Sequence, residues 1–141
     1  MKLIIQIPCY NEEKDILKTL NDLPSEIQGI DKIEILIIND GSKDDTLNEV
    51  KKYNGHRLEV LNLPVKRGLS NAFINGIEYS LKLGADIIVN TDGDNQYDSK
   101  DICKLVEPIL QRKSDIVIGA RNFNKIQNFS KVKIFFQNLG S

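Results

Sequence analysis

The sharpest chemistry in the sequence lies in Asp92-Gly93-Asp94, two carboxylates one residue apart across a glycine. A turn made tight by Gly93 lets both acids face one point, and such a pair is costly unless a cation neutralises it. Hard oxygen ligands select Mg²⁺ or Mn²⁺, and Gln96 offers a neutral oxygen to the same ion. Taken alone, the pattern also fits an Asp-Gly turn whose acids sit at a helix start, so its surroundings decide its meaning.

Three other clusters carry usable groups. In Asp40-Gly41-Ser42, the carboxylate can accept hydrogen bonds from a nucleobase N–H or a ribose hydroxyl, and Gly41 permits close backbone approach. Ser42 is expected to cap a short helix over 46–51, with Asp44 and Asp45 in its first turn. In Pro8-Cys9-Tyr10-Asn11-Glu12-Glu13, Asn11 can cap a helix that Glu12 and Glu13 then enter. Tyr10 offers a ring and a hydroxyl to a base and Glu12 an acceptor, and each also has an ordinary structural use. Arg67 of Lys66-Arg67-Gly68, together with Arg121, can meet a diphosphate, which arginine grips with two parallel bonds. Lys66 divides evenly between that role and a solvated one.

These clusters need elements to hold them. Short apolar runs over 3–7, 33–38, 58–63, 86–90 and 115–118 alternate with helical patterns, the signature of βαβ units. Several runs are apolar at nearly every position, as strands buried on both faces of a parallel sheet must be. Ile16, Leu17, Leu20 and Leu23 recur at helical spacing. Leu69, Ala72, Phe73, Gly76, Ile77 and Leu81 form the best stripe, with Gly84 as its stop. Ile102, Leu105, Val106, Ile109 and Leu110 form a third, in which Pro108 predicts a kink or break. Over 128–139, Phe129, Val132, Phe135, Phe136 and Leu139 predict an apolar helix edged by Lys131 and Lys133. It must lie against the rest of the domain, a further region of the protein or a membrane surface.

In an open parallel sheet, ligands bind beyond the carboxyl ends of the strands. The polar clusters follow the first, second, fourth and fifth apolar runs, so the α/β reading brings them to one edge. Bulk properties narrow the alternatives. The 141 residues suit one domain, and 40% hydrophobic content supplies one core. Nineteen Lys and Arg against 20 Asp and Glu leave a net charge of −1, without the basic excess of phosphate-tracking nucleic-acid proteins. No run of about 18 apolar residues is present to span a bilayer. Residues 1–5 read as a strand rather than a secretory leader. Cys9 and Cys103 are too few for a disulfide framework or a four-ligand zinc site. The single histidine, His56, lies in a polar stretch and is expected to be solvated. Catalysis therefore falls to carboxylates, amides and a metal.

The ordered segments IPCYNEE, IINDGSKDDT, KRGLSNAFINGI, NTDGDNQY and DIVIGAR resemble the family 2 glycosyltransferases of the GT-A fold. The resemblance is strongest to the polyprenyl-phosphate sugar transferases, of the dolichyl-phosphate mannose synthase type. It implies a Rossmann-like sheet flanked by helices, with a nucleotide-sugar-binding domain over 1–122. Residues 123–141 would begin an acceptor-side region. Pro8, Tyr10, Glu12 and Asp40 match nucleotide-contacting positions, and Arg67-Gly68 matches a loop beside the nucleotide. Asp92, Gly93, Asp94 and Gln96 match the metal and donor-phosphate loop, and Arg121 a residue facing the diphosphate. The implied reaction moves a sugar, with inversion, from a UDP- or GDP-linked donor to an acceptor such as a polyprenyl phosphate. The implied setting is cytoplasmic, peripheral to the membrane face. Members usually run on into acceptor-binding segments, so the resemblance implies a truncated chain with no catalytic base to assign.

Three rival readings fit less well. A sugar nucleotidyltransferase would carry a Gly-rich basic loop where this chain has Pro8-Cys9-Tyr10-Asn11. A phospho-acceptor signalling domain would carry a lysine where Gly119-Ala120-Arg121 stands. A non-catalytic nucleotide-sugar binding module shares every feature of the donor site and differs only in turnover.

Overall fold

The computed structural model describes residues 1–120. The order of elements is β1 (Lys2–Cys9), α1 (Ile16–Asp22), β2 (Lys32–Asp40), α2 (Thr46–Val50), β3 (Arg57–Leu63), α3 (Leu69–Lys82), β4 (Ile87–Asn90) and α4 (Lys100–Leu110). The strands form one parallel sheet in the order β3-β2-β1-β4. β1 pairs along its whole length with β2, from Lys2 opposite Lys32 to Cys9 opposite Asn39.

The alternation of side chains along each strand divides the core into two layers. Leu3, Ile5, Ile7, Ile35 and Ile37 point to one face, where Ile16 and Leu20 of α1, Val50 of α2 and Ile102 and Val106 of α4 cover them. Ile4, Leu36 and Ile38 point to the other face, under Ala72 of α3. The two central strands are therefore apolar at nearly every position, as predicted. The chain winds outward from β1 to β3 and then crosses back to β4, so the winding reverses between β1 and β4. A crevice for ligands opens at such a reversal.

Several expectations need correction. Residues 115–118 form no strand, and Ile116 and Ile118 stand 80% and 87% exposed. An apolar run becomes a strand only beside a ladder partner, and among the described residues the sheet ends at β4 without it. The stripe read on α3 holds only in part, at Ala72 and Gly76. Ala72, Gly76 and Ser80 are buried, while Leu69, Phe73 and Leu81 are exposed. Small residues win the inner face because the helix lies close: a Cβ on Gly76 would sit 2.6 Å from Gln6 Oε1 and 2.9 Å from Ile38 Cδ1. Pro108 does not break α4, which runs two residues past it to Leu110. Pro108 removes a single N–H, and only Ile109 and Leu110 of the helix follow it. Gly84 does stop α3: it has φ 77°, and the Ala85 N–H bonds back to Ser80 O at 3.1 Å, closing a Schellman turn. His56 is half-buried rather than solvated, its Nε2 lying 2.9 Å from the Pro24 carbonyl oxygen. The helix expected over 128–139 and the division at residue 122 lie outside the described residues.

Candidate functional site

Loops 10–15 and 41–45, which leave β1 and β2, are tied together by alternating backbone donors and side-chain acceptors. The Asn11 N–H donates to Ser42 Oγ at 3.0 Å, and the Lys43 N–H donates to Asn11 Oδ1 at 2.9 Å. The Glu12 N–H donates to Thr46 Oγ1 at 2.8 Å, the Glu13 N–H to Asp44 Oδ2 at 3.2 Å and the Asp45 N–H to Glu13 Oε2 at 3.0 Å. Two capping expectations fail for this reason. Asn11, at φ 57°, caps no helix, and α1 starts only at Ile16 because residues 11–13 direct their N–H groups across to the neighbouring loop. Ser42 is likewise engaged with Asn11, and Asp44 receives the Thr46 N–H at 3.1 Å in its place. Burial works against the charge on Asp44. The hydrogen bonds from Thr46 and from the Glu13 N–H outweigh it and hold the carboxyl below its usual range.

Asp40, at the end of β2, is only 4% exposed. Its Oδ1 accepts the Arg67 N–H and its Oδ2 the Gly68 N–H, both at 2.8 Å. Asp40 thus fixes the loop that opens α3. Gly41 lets this loop approach: it has φ 72°, and a Cβ there would lie 2.7 Å from Lys66 N. The loop in turn sets Lys66 over the Tyr10 ring, 3.6 Å from its centroid, in a cation–π contact. The Arg67 side chain is exposed beside it.

The acidic turn after β4 meets the other side of the loop after β1. Gly93 is buried, and a Cβ on it would touch Ile16 Cδ1 at 3.2 Å and Cys9 Cβ and Glu12 Cγ at 3.5 Å. Asp92 and Asp94, half-buried, flank it. Asp94 Oδ1 accepts the Gln96 N–H at 3.1 Å, while the Gln96 side chain belongs to an exposed residue. Glu12 registers the convergence: burial first, then the charges of Asp94, Asp15, Asp44 and Asp92, push its carboxyl above the usual range. Cys9, beneath the cluster, has its thiol pushed up to about 12 by burial and then by Glu12, Asp44 and Asp40, which makes it an inert core group. Among the described residues no three His, Cys, Asp or Glu side chains already stand in a ligating arrangement. The donor set nevertheless suits a hard divalent cation: Glu12 of one loop packs against Gly93 of the other, which Asp92 and Asp94 flank, so carboxylates from two loops lie together.

Of the predicted donor-site residues, the structure brings Tyr10, Glu12, Asp92 and Asp94 to the crevice, with Gln96 on the same turn and the Asp40–Arg67 loop across β1. Pro8 is buried near the end of β1, opposite Ile38. Gly93 serves as a buried spacer between the two acids. Arg121 lies outside the described residues. Thr19 and Asn95 were not foreseen. Thr19 donates its hydroxyl to the Gly93 carbonyl at 2.9 Å. Asn95, at φ 55°, has its amide within 3.1 Å of Lys18 Nζ and 3.3 Å of Asp22 Oδ2; assigning the amide oxygen to the lysine and the nitrogen to the carboxylate satisfies both. The available signal was a hydroxyl on the apolar face of α1, three residues after Ile16 and beside Leu20.

Comparison with known proteins bears on this arrangement. The family model for glycosyl transferase family 2 matches residues 4–138. A UDP-N-acetylglucosamine–dolichyl-phosphate N-acetylglucosaminyltransferase of Methanococcus voltae is 33% identical over 129 residues, covering 82% of this chain and 50% of the relative. The chain thus spans about half the length of that protein. The structure of S. aureus TarS 1-349 in complex with UDP-GlcNAc superposes with a TM-score of 0.60 at 26% identity, over 76% of this chain and 31% of the other. The mannosyltransferase PcManGT from Pyrobaculum calidifontis, solved with GDP-Man and Mn2+, has the same fold at a TM-score of 0.60 and 21% identity, over 74% of this chain and 31% of the other.

Proposed function

This chain belongs to glycosyl transferase family 2, and from that premise we propose that its loop cluster holds a nucleoside-diphosphate sugar for transfer to an acceptor. The observation that carries the reading is the meeting of Glu12, from the loop after β1, with Asp92 and Asp94, from the loop after β4, where the winding reverses. Asp92 and Asp94 would hold Mg²⁺ or Mn²⁺, with Gln96 within reach of the same turn. A divalent cation there supplies Lewis-acid stabilisation of the charge that grows on the diphosphate.

The chain's own residues do the rest. Tyr10, capped by Lys66, offers a flat apolar surface to the base, UDP- or GDP-linked. Asp40 keeps the 66–68 loop and Arg67 at the side of the nucleotide, and Arg121 is assigned to the diphosphate. The bond between the anomeric carbon and the phosphate oxygen breaks as the acceptor oxygen attacks from the opposite face, which inverts the anomeric centre. A polyprenyl phosphate is the acceptor class favoured by the dolichyl-phosphate relative. Its oxygen is already ionised and needs little help from a general base. Such an acceptor puts the domain at the cytoplasmic membrane surface. Among the described residues no helix is long and apolar enough to cross a membrane.

Calorimetric titration of the chain with UDP and GDP, with and without Mn²⁺, tests the reading. Metal-dependent binding of one of them is expected, and Asp94→Ala should abolish the metal dependence. Equal heats with and without Mn²⁺ for both nucleotides would remove the cation site. Sugar transfer or donor hydrolysis by the chain separates an enzyme from a module that only binds.

A further inference from the structure

The acidic turn stands at the margin of the sheet, so the sheet alone cannot hold it. β4 has four residues and, among the described strands, pairs only with β1. One more ladder bond follows, from the Thr91 N–H to the Gln6 carbonyl at 3.1 Å. Beyond that point the turn is fixed from the side by α1. Thr19 is 6% exposed, and its hydroxyl donates to the Gly93 carbonyl at 2.9 Å in a fully buried bond spanning 74 residues of sequence. Ile16, one turn earlier, closes on Gly93 from the same helix face. Lys18 Nζ and Asp22 Oδ2 lie 3.1 Å and 3.3 Å from the Asn95 amide on the next flank.

A threonine on the inner face of a helix needs a reason. Burying a hydroxyl is unfavourable unless it finds a partner, and helical threonines ordinarily bond back to a carbonyl of their own helix. Here the hydroxyl reaches across to the carbonyl of the Gly93–Asp94 peptide, one of the two peptides that join Asp92 to Asp94. Rotation of that peptide would turn the two flanking carboxylates relative to each other, and cation ligands must be held closely to act together.

We infer that Thr19 is a positioning residue for the cation-binding turn, holding the Gly93 peptide so that Asp92 and Asp94 face the ion together. The inference rests on the donor-site reading above. Thr19→Val keeps the shape and removes the donor, whereas Thr19→Ser keeps the donor. The measurements are calorimetric titrations of each variant with the preferred nucleotide, with and without Mn²⁺, and hydrogen exchange at residues 92–96. Thr19→Val should weaken Mn²⁺-dependent binding at least fivefold, equivalent to about 1 kcal/mol. It should leave metal-free binding within twofold and speed exchange in the turn. Thr19→Ser should restore both to within twofold of the wild type. A valine variant that melts earlier but keeps wild-type Mn²⁺ dependence would overturn the inference, since a purely structural hydroxyl predicts that result. If Thr19→Val does not melt cooperatively, Thr19→Ala replaces it and is read in the same way. A wild type without Mn²⁺-dependent binding sinks the donor-site reading and this inference together. Wild-type binding with an unaffected valine variant sinks this inference alone.

Discussion

Replacing Asp40 with asparagine removes one charge and turns one carboxylate oxygen into an NH2 group at a position only 4% exposed. Both oxygens of the native side chain accept a backbone N–H at 2.8 Å, from Arg67 and Gly68. The amide oxygen can keep one of these bonds, but the NH2 must then face the other N–H, donor against donor. One hydrogen bond to a charged group, about 1.5–3 kcal/mol, is lost, and a half-buried donor is left without its acceptor. The expected destabilisation is therefore about 2–4 kcal/mol, a large fraction of the 5–15 kcal/mol typical of a domain.

The loop so released also carries Lys66, so the cover over Tyr10 should loosen with it. Guanidinium unfolding followed by circular dichroism measures the first effect, and nucleotide titration below the unfolding transition measures the second. Both should worsen together in Asp40→Asn. A direct contact between Asp40 and a base or ribose predicts something else: weaker nucleotide binding at unchanged stability. A stability change below about 0.5 kcal/mol, the ordinary range for surface substitutions, would refute the view of Asp40 as the anchor of the 66–68 loop.

Other expectations follow from the same geometry. Gly41→Ala should cost at least about 2 kcal/mol by chemical denaturation, because φ 72° costs an L-residue about 1 kcal/mol and its Cβ would meet Lys66 N at 2.7 Å. Glu34 is fully buried and contacts Lys2 at 2.7 Å and Lys32 at 2.6 Å; burial opposes its charge, but these lysines prevail and hold its carboxyl below the usual range. The folded state therefore prefers ionised Glu34, so its stabilising contribution is full above the ordinary Glu value and disappears as pH falls through the lower folded value; Glu34→Gln should flatten that acid limb of a melting-temperature profile. Glu12 has the opposite sign: its carboxyl is raised by burial and then by neighbouring acids, so stability falls as pH rises from the ordinary Glu value through the raised folded value. Glu12→Gln should remove that slope in metal-free protein, and a variant that melts with the wild-type pH profile would contradict the crowding of Glu12 with Asp92 and Asp94.

The central strands were legible because burial on both faces leaves an unmistakable pattern: residues 3–7 and 33–38 are almost wholly apolar. The fifth run, 115–118, has the same pattern and no strand, because composition says what a segment would bury and nothing of whether a ladder partner is at hand. The stripe read on α3 holds at Ala72 and Gly76 but not at its large residues, for a related reason. Hydrophobicity favours Leu69, Phe73 and Leu81, but close approach to Gln6 and Ile38 favours Ala72, Gly76 and Ser80, and the distance between layers is invisible in sequence. At the site, residue types located the acids correctly, and the partners of neutral groups were the hidden part. The side chains of Asn11, Ser42 and Thr19 bond to residues 32, 31 and 74 positions away.

Those long-range bonds explain how the crevice keeps acids available at all. A loop rich in carboxylates tends to satisfy them on its own N–H groups, as Asp44 does with Thr46. Between β1 and β2 that tendency is met in full by residues that need not touch a ligand: Asn11, Glu13, Ser42 and Asp44 exchange bonds across the two loops. Asp40 is likewise committed to the 66–68 loop. The carboxylates of Glu12 and Asp92 are left out of this exchange among the described residues, and Asp94 gives only one oxygen to its own turn. Burial first, and then the repulsion they retain, raises the Glu12 carboxyl. On the proposed reading, a fold that satisfies the supporting residues and leaves these acids unpaired would gain stability when a cation binds.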